Sequence, residues 1–236
     1  MSLRGLFVTG TDTGVGKTFV AAAIAGAMVR AGHRVGVLKP VATGATRVGE
    51  AWQSADAEAL IAAIGGGVGL DRVTPIRYEE PLAPPLAARR AGRPLIRDEV
   101  IRAVGEALAW WEERADVVVV EGVGGLLCPL AEGMTVADLA VALDFPAVIV
   151  ARRGLGTINH TLLTVEAAGL RGLRLAGVVL NGATPEADPL AESTNRAELA
   201  RWLVGVAVLA DLRPGEDPAG PMDDLEWSGR AGVGRW

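Results

Sequence analysis

The amino-acid sequence predicts an α/β fold in which a mostly parallel β-sheet has helices on both faces. Short apolar runs rich in valine and isoleucine alternate with longer segments of helical periodicity, an order typical of parallel strands joined by helices. Half of the 236 residues are hydrophobic and the mean hydropathy is +0.31, which suffices for one sizeable domain. We therefore expect a single domain over residues 1–212, followed by a loose Gly/Pro-rich C-terminal tail over residues 213–236.

Six strands and six long helices are predicted from this alternation. The strands are expected at residues 3–9, 34–39, 116–121, 147–151, 175–181 and 205–209. The helices are expected at residues 17–31, 55–64, 97–115, 136–143, 157–169 and 189–203. Residues 65–96, rich in Gly, Pro and Arg, are predicted to form an irregular connection with one short helix near residues 85–91. Thr135-x-x-Asp138 before an apolar run indicates a capping box at a helix start.

Composition argues against several classes of protein. No apolar run reaches the ~18 residues that a membrane span needs, and residues 1–5 lead directly into the first strand, so that a cytoplasmic protein without a signal peptide is expected. The single cysteine, Cys128, excludes an internal disulfide and a cysteine-ligated metal site. The net charge is −5 and no basic cluster exceeds two arginines, which argues against nucleic-acid binding.

A strand, a glycine-rich turn and a helix follow one another near the start of the chain. Residues 10–18 read Gly-Thr-Asp-Thr-Gly-Val-Gly-Lys-Thr. The N–H groups of such a turn and of the helix start bind phosphate, while Lys17 reaches the β- and γ-phosphates and the Thr18 hydroxyl can bind Mg²⁺. The first glycine lies one residue earlier than in the usual pattern. The chain is thus predicted to be P-loop NTPase-like and to bind a nucleoside triphosphate with Mg²⁺.

Three further charged residues stand at predicted element ends. Of 23 basic residues only Lys17 and Lys39 are lysines, and a compact ammonium can enter a phosphate site as a point charge. Glu121 ends a buried strand at the edge where a ligand crevice opens, and it either binds Mg²⁺ or is simply solvated there. Asp56 begins a helix, where a carboxylate also complements the helix dipole. Its role stays open on this reasoning.

Together these motifs resemble those of the dethiobiotin synthetase family. The matching landmarks are residues 10–18, Lys39-Pro40-Val41 with Thr43-Gly44, Ser54-Ala55-Asp56, residues 120–125, residues 154–160 and Asn181. The extra residue in the phosphate loop is itself a feature of that family. The resemblance implies an ATP- and Mg²⁺-dependent ring closure in which 7,8-diaminononanoate and CO₂ or bicarbonate give dethiobiotin, ADP and phosphate, a step of biotin biosynthesis.

The resemblance also implies roles for individual residues. One amine forms a carbamate that attacks the γ-phosphate, and Lys17 and Lys39 act as the catalytic residues. The metal ligands would be Thr18, Asp56 and Glu121. The nucleotide-binding residues would be Gly14, Val15, Gly16, Lys17, Thr18, Phe19, Asn181, Ala210, Asp211 and Leu212. The substrate-binding residues would be Thr13, Lys39, Thr43, Gly124, Gly156, Thr157, Ile158 and Asn159. In the family, the last four residues begin a helix that receives the substrate carboxylate across a homodimer interface.

The sequence departs from the family pattern at three places. Some members have Pro-Trp-Leu where this chain has Ala210-Asp211-Leu212, and Gly14 replaces an acidic loop residue, so that the preferred nucleotide base is open. Some members place a tyrosine near the substrate carboxylate, in a region that reads Glu192-Ser193-Thr194-Asn195 here. The residue that takes over this contact is likewise open.

Two other classes of enzyme or ATPase have related phosphate loops. The alternative is a regulatory P-loop switch ATPase of the partitioning or septum-placement type, but these proteins have an additional lysine early in the loop, and residues 10–16 contain none. A glutamine-dependent amidating enzyme needs an attached glutaminase domain with a nucleophilic cysteine. The length of the chain and the setting of Cys128 do not provide one.

Overall fold

Strands and helices alternate throughout the part of the chain that the computed structural model describes, residues 3–182 and 189–234. The strands are β1 (Arg4–Gly10), β2 (Val35–Leu38), β3 (Val41–Thr43), β4 (Thr46–Val48), β5 (Ala51–Gln53), β6 (Ile76–Tyr78), β7 (Val117–Glu121), β8 (Pro129–Ala131), β9 (Met134–Thr135), β10 (Ala147–Arg152), β11 (Leu175–Asn181), β12 (Val208–Leu212) and β13 (Gly232–Val233). The helices are α1 (Lys17–Arg30), α2 (Ala55–Ala63), α3 (Leu70–Val73), α4 (Pro84–Arg90), α5 (Arg97–Glu112), α6 (Val136–Leu143), α7 (Thr157–Leu170), α8 (Pro189–Trp202), α9 (Ala219–Asp223) and α10 (Trp227–Arg230).

The central sheet has the strand order β12-β11-β10-β1-β7-β2, and every neighbouring pair on this path is parallel. All five residues of β7 are buried, because parallel strands covered by helices on both faces have no solvent-exposed side. The chain leaves β1 toward β2 on one side and later returns to β10 on the other. This reversal opens a crevice over the carboxyl end of β1, and the predicted α/β class is confirmed.

Most element boundaries agree with the sequence prediction, and the exceptions have physical causes. The six long helices are confirmed with ends shifted by at most three residues, and Thr135 forms the predicted capping box with Asp138. The last predicted strand, residues 205–209, is displaced to Val208–Leu212. Gly205 occupies a turn with φ of 78°, so the strand begins later, and its Asp211 carboxylate pairs with Arg153. The short strands β3 to β6 and β8 and β9 were not expected.

The C-terminal segment is folded onto the domain, so the expectation of a loose tail is wrong. Gly232 and Val233 of β13 pair antiparallel with Gly5 and Arg4, at the amino end of β1, where β10 pairs only from Phe7 onward. Helices α9 and α10 bury Met222 and Trp227 in the main core. Met222 and Trp227 are two isolated apolar residues and form no periodic pattern. The sequence therefore does not predict that this segment packs on the core. Among the described residues, no helix is both long and apolar enough to span a membrane.

Candidate active site

The phosphate loop connects β1 to α1 and is shaped by its glycines. Gly14 and Gly16 have φ values of 75° and 86°, which other residues adopt at a cost. Gly16 precedes α1, and no described side chain caps this helix start, so that its free N–H groups can bind an anion. The Lys17 ammonium reaches back across the loop and donates to the Asp12 carbonyl at 3.0 Å. Burial, reinforced by the nearby Lys39 charge, lowers the pKa of Lys17.

Beside this loop, four residues far apart in sequence converge at the carboxyl edge of the sheet. The Lys39 Nζ lies 2.6 Å from Asp56 Oδ2 and 2.8 Å from Glu121 Oε1. The Thr18 hydroxyl donates to the same Glu121 oxygen at 2.8 Å. Lys39 is 4% exposed and Glu121 is 1% exposed, so the pairing takes place away from water. Lys39 follows β2 and Glu121 is the last residue of β7, so both lie at the carboxyl edge of the sheet. Asp56 lies in the first turn of α2, which reaches the same edge.

The electrostatics of this cluster depend on its pairing. Burial alone would lower the pKa of Lys39, but Glu121 and Asp56 outweigh burial and raise it, so the ammonium stays charged. Burial would likewise raise the pKa of Asp56, but Lys39, with a contribution from Thr18, holds this pKa below its ordinary value of 3.8. Both charges are therefore maintained at neutral pH in the absence of a ligand.

The oxygen atoms of this cluster fit a small hard cation. Thr18, Asp56 and Glu121 supply one hydroxyl and two carboxylates, and Mg²⁺ is commonly bound by few protein oxygens with water and phosphate completing its shell. The second carboxylate oxygen of Glu121, Oε2, is buried without a hydrogen-bond partner among the described residues. Among all the residues that the structure describes, no three His, Cys, Asp or Glu side chains are grouped so that they could hold a metal ion. The set thus suits Mg²⁺ better than zinc.

A cavity of about 550 Å³ unites the phosphate loop with this cluster. Of the residues singled out from the sequence, those lining it are Thr13, Gly14, Gly16, Lys17, Thr18, Lys39, Thr43, Asp56, Glu121 and Gly124. Sequence reasoning missed another part of the lining, which is formed by Pro81, Leu82, Ala83 and Pro84. The proline-rich turn before α4 was the one signal available for it. Gly124 has φ of 64°, and a Cβ there would lie 2.6 Å from the Cys128 sulfur.

The remaining predicted site residues lie outside this cavity. Gly156, Thr157, Ile158 and Asn159 form the start of α7, where Gly156 has φ of 89° and no described side chain caps the helix. A second cavity of about 390 Å³ lies between the phosphate loop and α7. Thr13 and Cys128 line both cavities, so the two are neighbours. The start of α7 is therefore near the site without being part of it in the single chain.

The residues predicted to bind the nucleotide base have partners within the protein. The buried Asn181 donates from Nδ2 to the Val15 carbonyl at 2.9 Å, which ties the end of β11 to the phosphate loop. Val15, Ala210 and Leu212 are buried in the core, and Phe19 is partly exposed on α1. The Asp211 carboxylate pairs with Arg153. That these residues bind the nucleotide stays a prediction. In this prediction, the backbone atoms of β12 face the base and its side chains do not.

Cys128 is not poised for nucleophilic chemistry. Burial raises the pKa of its thiol, although the Lys17 charge acts in the opposite direction. A thiol that stays protonated is a weak nucleophile. This agrees with the sequence argument against a glutamine-dependent enzyme.

Comparison with known proteins gives concordant results. A family model described as "AAA domain" matches residues 4–219. An ATP-dependent dethiobiotin synthetase BioD of Anaeromyxobacter dehalogenans (strain 2CP-C) is 50% identical over 199 residues, which are 84% of this chain and 85% of that protein. A protein of the same name from Rhodococcus erythropolis (strain PR4) is 46% identical over 210 residues, which are 88% of this chain and 87% of that protein.

Solved structures resemble the chain in fold. The septum site-determining protein MinD of Pyrococcus horikoshii OT3, complexed with Mg-ADP, aligns with a TM-score of 0.52 at 16% identity, covering 94% of this chain and 86% of that chain. The cell division ATPase MinD of Pyrococcus furiosus aligns with a TM-score of 0.51 at 18% identity, covering 90% and 84%. At such low identity the likeness concerns the fold alone.

Proposed function

Because the chain belongs to the ATP-dependent dethiobiotin synthetase family, we infer that it is a ligase that makes dethiobiotin at the expense of ATP, in biotin biosynthesis. The observation that supports this best is the convergence of Lys39, Asp56, Glu121 and Thr18 beside the phosphate loop. A reaction that joins a carbamate to a phosphoryl group needs this combination of a phosphate cradle, a buried ammonium and hard-cation ligands.

The phosphate loop and Lys17 bind the triphosphate in this proposal. Free N–H groups at the start of α1 surround the phosphates, and the Lys17 ammonium stabilises the phosphoryl group during transfer. Thr18, Asp56 and Glu121 hold Mg²⁺, for which the unpartnered Glu121 Oε2 is a supporting observation. When bound, Mg²⁺ supplies neutralisation of the charge on the phosphate oxygens. Asn181 keeps the loop in place through the Val15 carbonyl.

Lys39 is the residue that brings the two reacting anions together. The carbamate formed on one amine of 7,8-diaminononanoate and the γ-phosphate repel each other as the new O–P bond forms and the bond from the γ-phosphorus to the departing ADP breaks. An ammonium that is buried and already charged lowers this repulsion. Thr13, Thr43 and Gly124 line the same cavity and orient the diamine. The second amine then displaces phosphate from the mixed anhydride and closes the cyclic urea.

A homodimer completes the substrate site in this proposal. The start of α7, residues 156–159, binds the carboxylate of the diamine held by the neighbouring subunit, since uncapped N–H groups at a helix start favour an anion. Leu155, Leu163 and Leu170 are strongly exposed along this side of the single chain, and apolar surface of this kind is typical of an interface. The cytoplasmic location expected from the sequence stays a prediction.

The proposal is tested by measuring what ATP turnover requires. Purified protein is incubated with Mg-ATP, bicarbonate and 7,8-diaminononanoate, while ADP is followed enzymatically and dethiobiotin by mass spectrometry. ADP and dethiobiotin should form in equal amounts, and only when all three are present. A monoamine analogue that lacks one of the two amino groups is the control, because it cannot close a ring. ATP turnover that responds to DNA, a protein partner or glutamine but ignores the diamine would contradict the proposal.

A further inference from the structure

One buried charged side chain lines neither of the two cavities described above. Among the residues that the structure describes, the buried charged side chains are those of Lys17, Lys39, Glu121 and Arg153. The first three belong to the phosphate and cation site. Arg153 is 7% exposed and lies beyond the end of β10. Burying a guanidinium is costly unless it is paired and hydrogen-bonded, so its partners indicate what this position provides.

Arg153 is held by three residues from two other elements, which we call the Arg153 network: Glu192 and Asn195 of α8 and Asp211 of β12. Its Nε donates to Asp211 Oδ1 at 2.5 Å and its Nη2 to Asp211 Oδ2 at 3.2 Å, while Nη1 donates to Glu192 Oε2 at 2.8 Å. The buried Asn195 donates from Nδ2 to the backbone carbonyl of Arg153 at 2.6 Å. Side chain and backbone of Arg153 are thus fixed together.

The network acts on the turn that precedes α7. Arg153 is followed by Gly154-Leu155-Gly156, and α7 begins at Thr157. Asn195 Nδ2 also approaches the Gly154 carbonyl at 3.2 Å, so the base of the turn is anchored to α8. The tip of the turn is not anchored in this way, since Leu155 is 80% exposed. The Arg153 network thus holds the base of the turn from which the first N–H groups of α7 follow.

We propose that Arg153 is a positioning residue for the carboxylate end of the diamine substrate. This proposal rests on the proposed function, in which the start of α7 binds that carboxylate. By joining β10, α8 and β12, the Arg153 network sets the direction of the uncapped N–H groups of α7, and a misplacement of about 1 Å in such contacts reduces catalysis by as much as about 10²-fold. Arg153 itself lines neither cavity, so it acts through the backbone of the turn before α7.

The test compares a substrate that has the carboxylate bound by α7 with one that lacks this carboxylate. Arg153→Met is assayed with 7,8-diaminononanoate and with the same vicinal diamine lacking the carboxylate. We expect kcat/KM for diaminononanoate to fall about 10- to 100-fold, mainly through KM, and kcat/KM for the second diamine to change less than about 3-fold. KM for Mg-ATP should stay within about 3-fold. Arg102→Met, on the exposed face of α5 with an i,i+4 partner in Glu106, is the matched control and should change neither substrate.

Loss of the arginine leaves two carboxylates without their cation, so Arg153→Lys is measured in parallel. Lysine keeps the charge but cannot pair with Asp211 through two nitrogens. It should give a smaller loss, about 3- to 10-fold, again confined to diaminononanoate. Equal losses with both diamines, in either variant, would mean that Arg153 serves only the stability of the fold. Unchanged kinetics in Arg153→Lys, with Arg153→Met unfolded, would overturn the proposal as well. Absence of wild-type turnover with diaminononanoate would instead overturn the proposed function.

Discussion

Replacing Lys39 with methionine removes the ammonium that two carboxylates share while keeping most of the side-chain volume. Glu121 then lies buried without the cation 2.8 Å away, and removing one partner of a buried ion pair typically costs about 3–5 kcal/mol. We expect the lower end, about 3 kcal/mol, for two reasons. Asp56 is 49% exposed and can turn to water, and Thr18 still donates a hydrogen bond to Glu121.

The assay is urea unfolding, followed by tryptophan fluorescence in Mg²⁺-free buffer, for the wild type, Lys39→Met, Glu121→Gln and the double variant. The double variant has no buried unpaired charge, so it should regain at least about 2 kcal/mol relative to Lys39→Met. Added Mg²⁺ should stabilise Lys39→Met more than the wild type, because the ion no longer competes with an ammonium for the same oxygens. A loss below about 1 kcal/mol in Lys39→Met, or strictly additive effects in the double variant, would refute the reasoning.

Three further predictions concern catalysis, assembly and pH. Lys39→Arg should lose about 10²–10³ in kcat with little change in Mg-ATP affinity, because the planar guanidinium does not fit the place of a compact ammonium; a collapse of nucleotide binding with normal turnover of the bound complex would make Lys39 a nucleotide anchor instead. At diaminononanoate concentrations well below KM, mixing inactive Lys39→Met with Arg153→Met under subunit exchange should give about a quarter of wild-type activity, since half of the dimers are then mixed and each contains one intact composite site; simple averaging of the two variants would exclude a shared site. Thr135→Ala should cost about 1 kcal/mol at pH 7. The Thr135 hydroxyl and backbone N–H lower the pKa of Asp138 from 3.8, so this stabilisation is present above that value and is lost as pH falls through the depressed pKa; an equal cost at pH 7 and pH 3 in urea unfolding would contradict this sign.

The phosphate loop could be predicted because its chemistry is local. Glycines, Lys17 and Thr18 follow one another within residues 10–18, and the helix start lies where the pattern places it. The meeting of Lys39 with Glu121 also follows from sequence, because parallel strands end at one edge of the sheet. That the lysine pairs with both carboxylates in the absence of a ligand could not be predicted. This pairing depends on the distances from Lys39 to Asp56 and Glu121 in the folded chain, which cannot be deduced from the sequence positions of the three residues.

The Arg153 network could not be predicted from the sequence for the same physical reason. The ion-pair partners of Arg153 lie 39 and 58 positions later in the chain, and burial depends on the packing of α8 and β12 around it. Nothing in the local sequence distinguishes it from the exposed arginines. The pairing of buried charges is thus the feature of this fold that is hardest to predict from local sequence patterns.

The pairing of β13 with β1 has a consequence for synthesis of the protein. Arg4 donates from Nη2 to the Ala231 carbonyl at 2.8 Å, across 227 positions of the chain. During synthesis, β1 is made before β7 and β10 and can pair with each of them as it emerges from the ribosome. The amino end of β1 can pair with residues 232–233 only after these have been synthesised. We therefore expect folding to proceed in two stages, with the phosphate loop formed once β1, β7 and β10 have paired and the base of the sheet completed only when β13 has been synthesised.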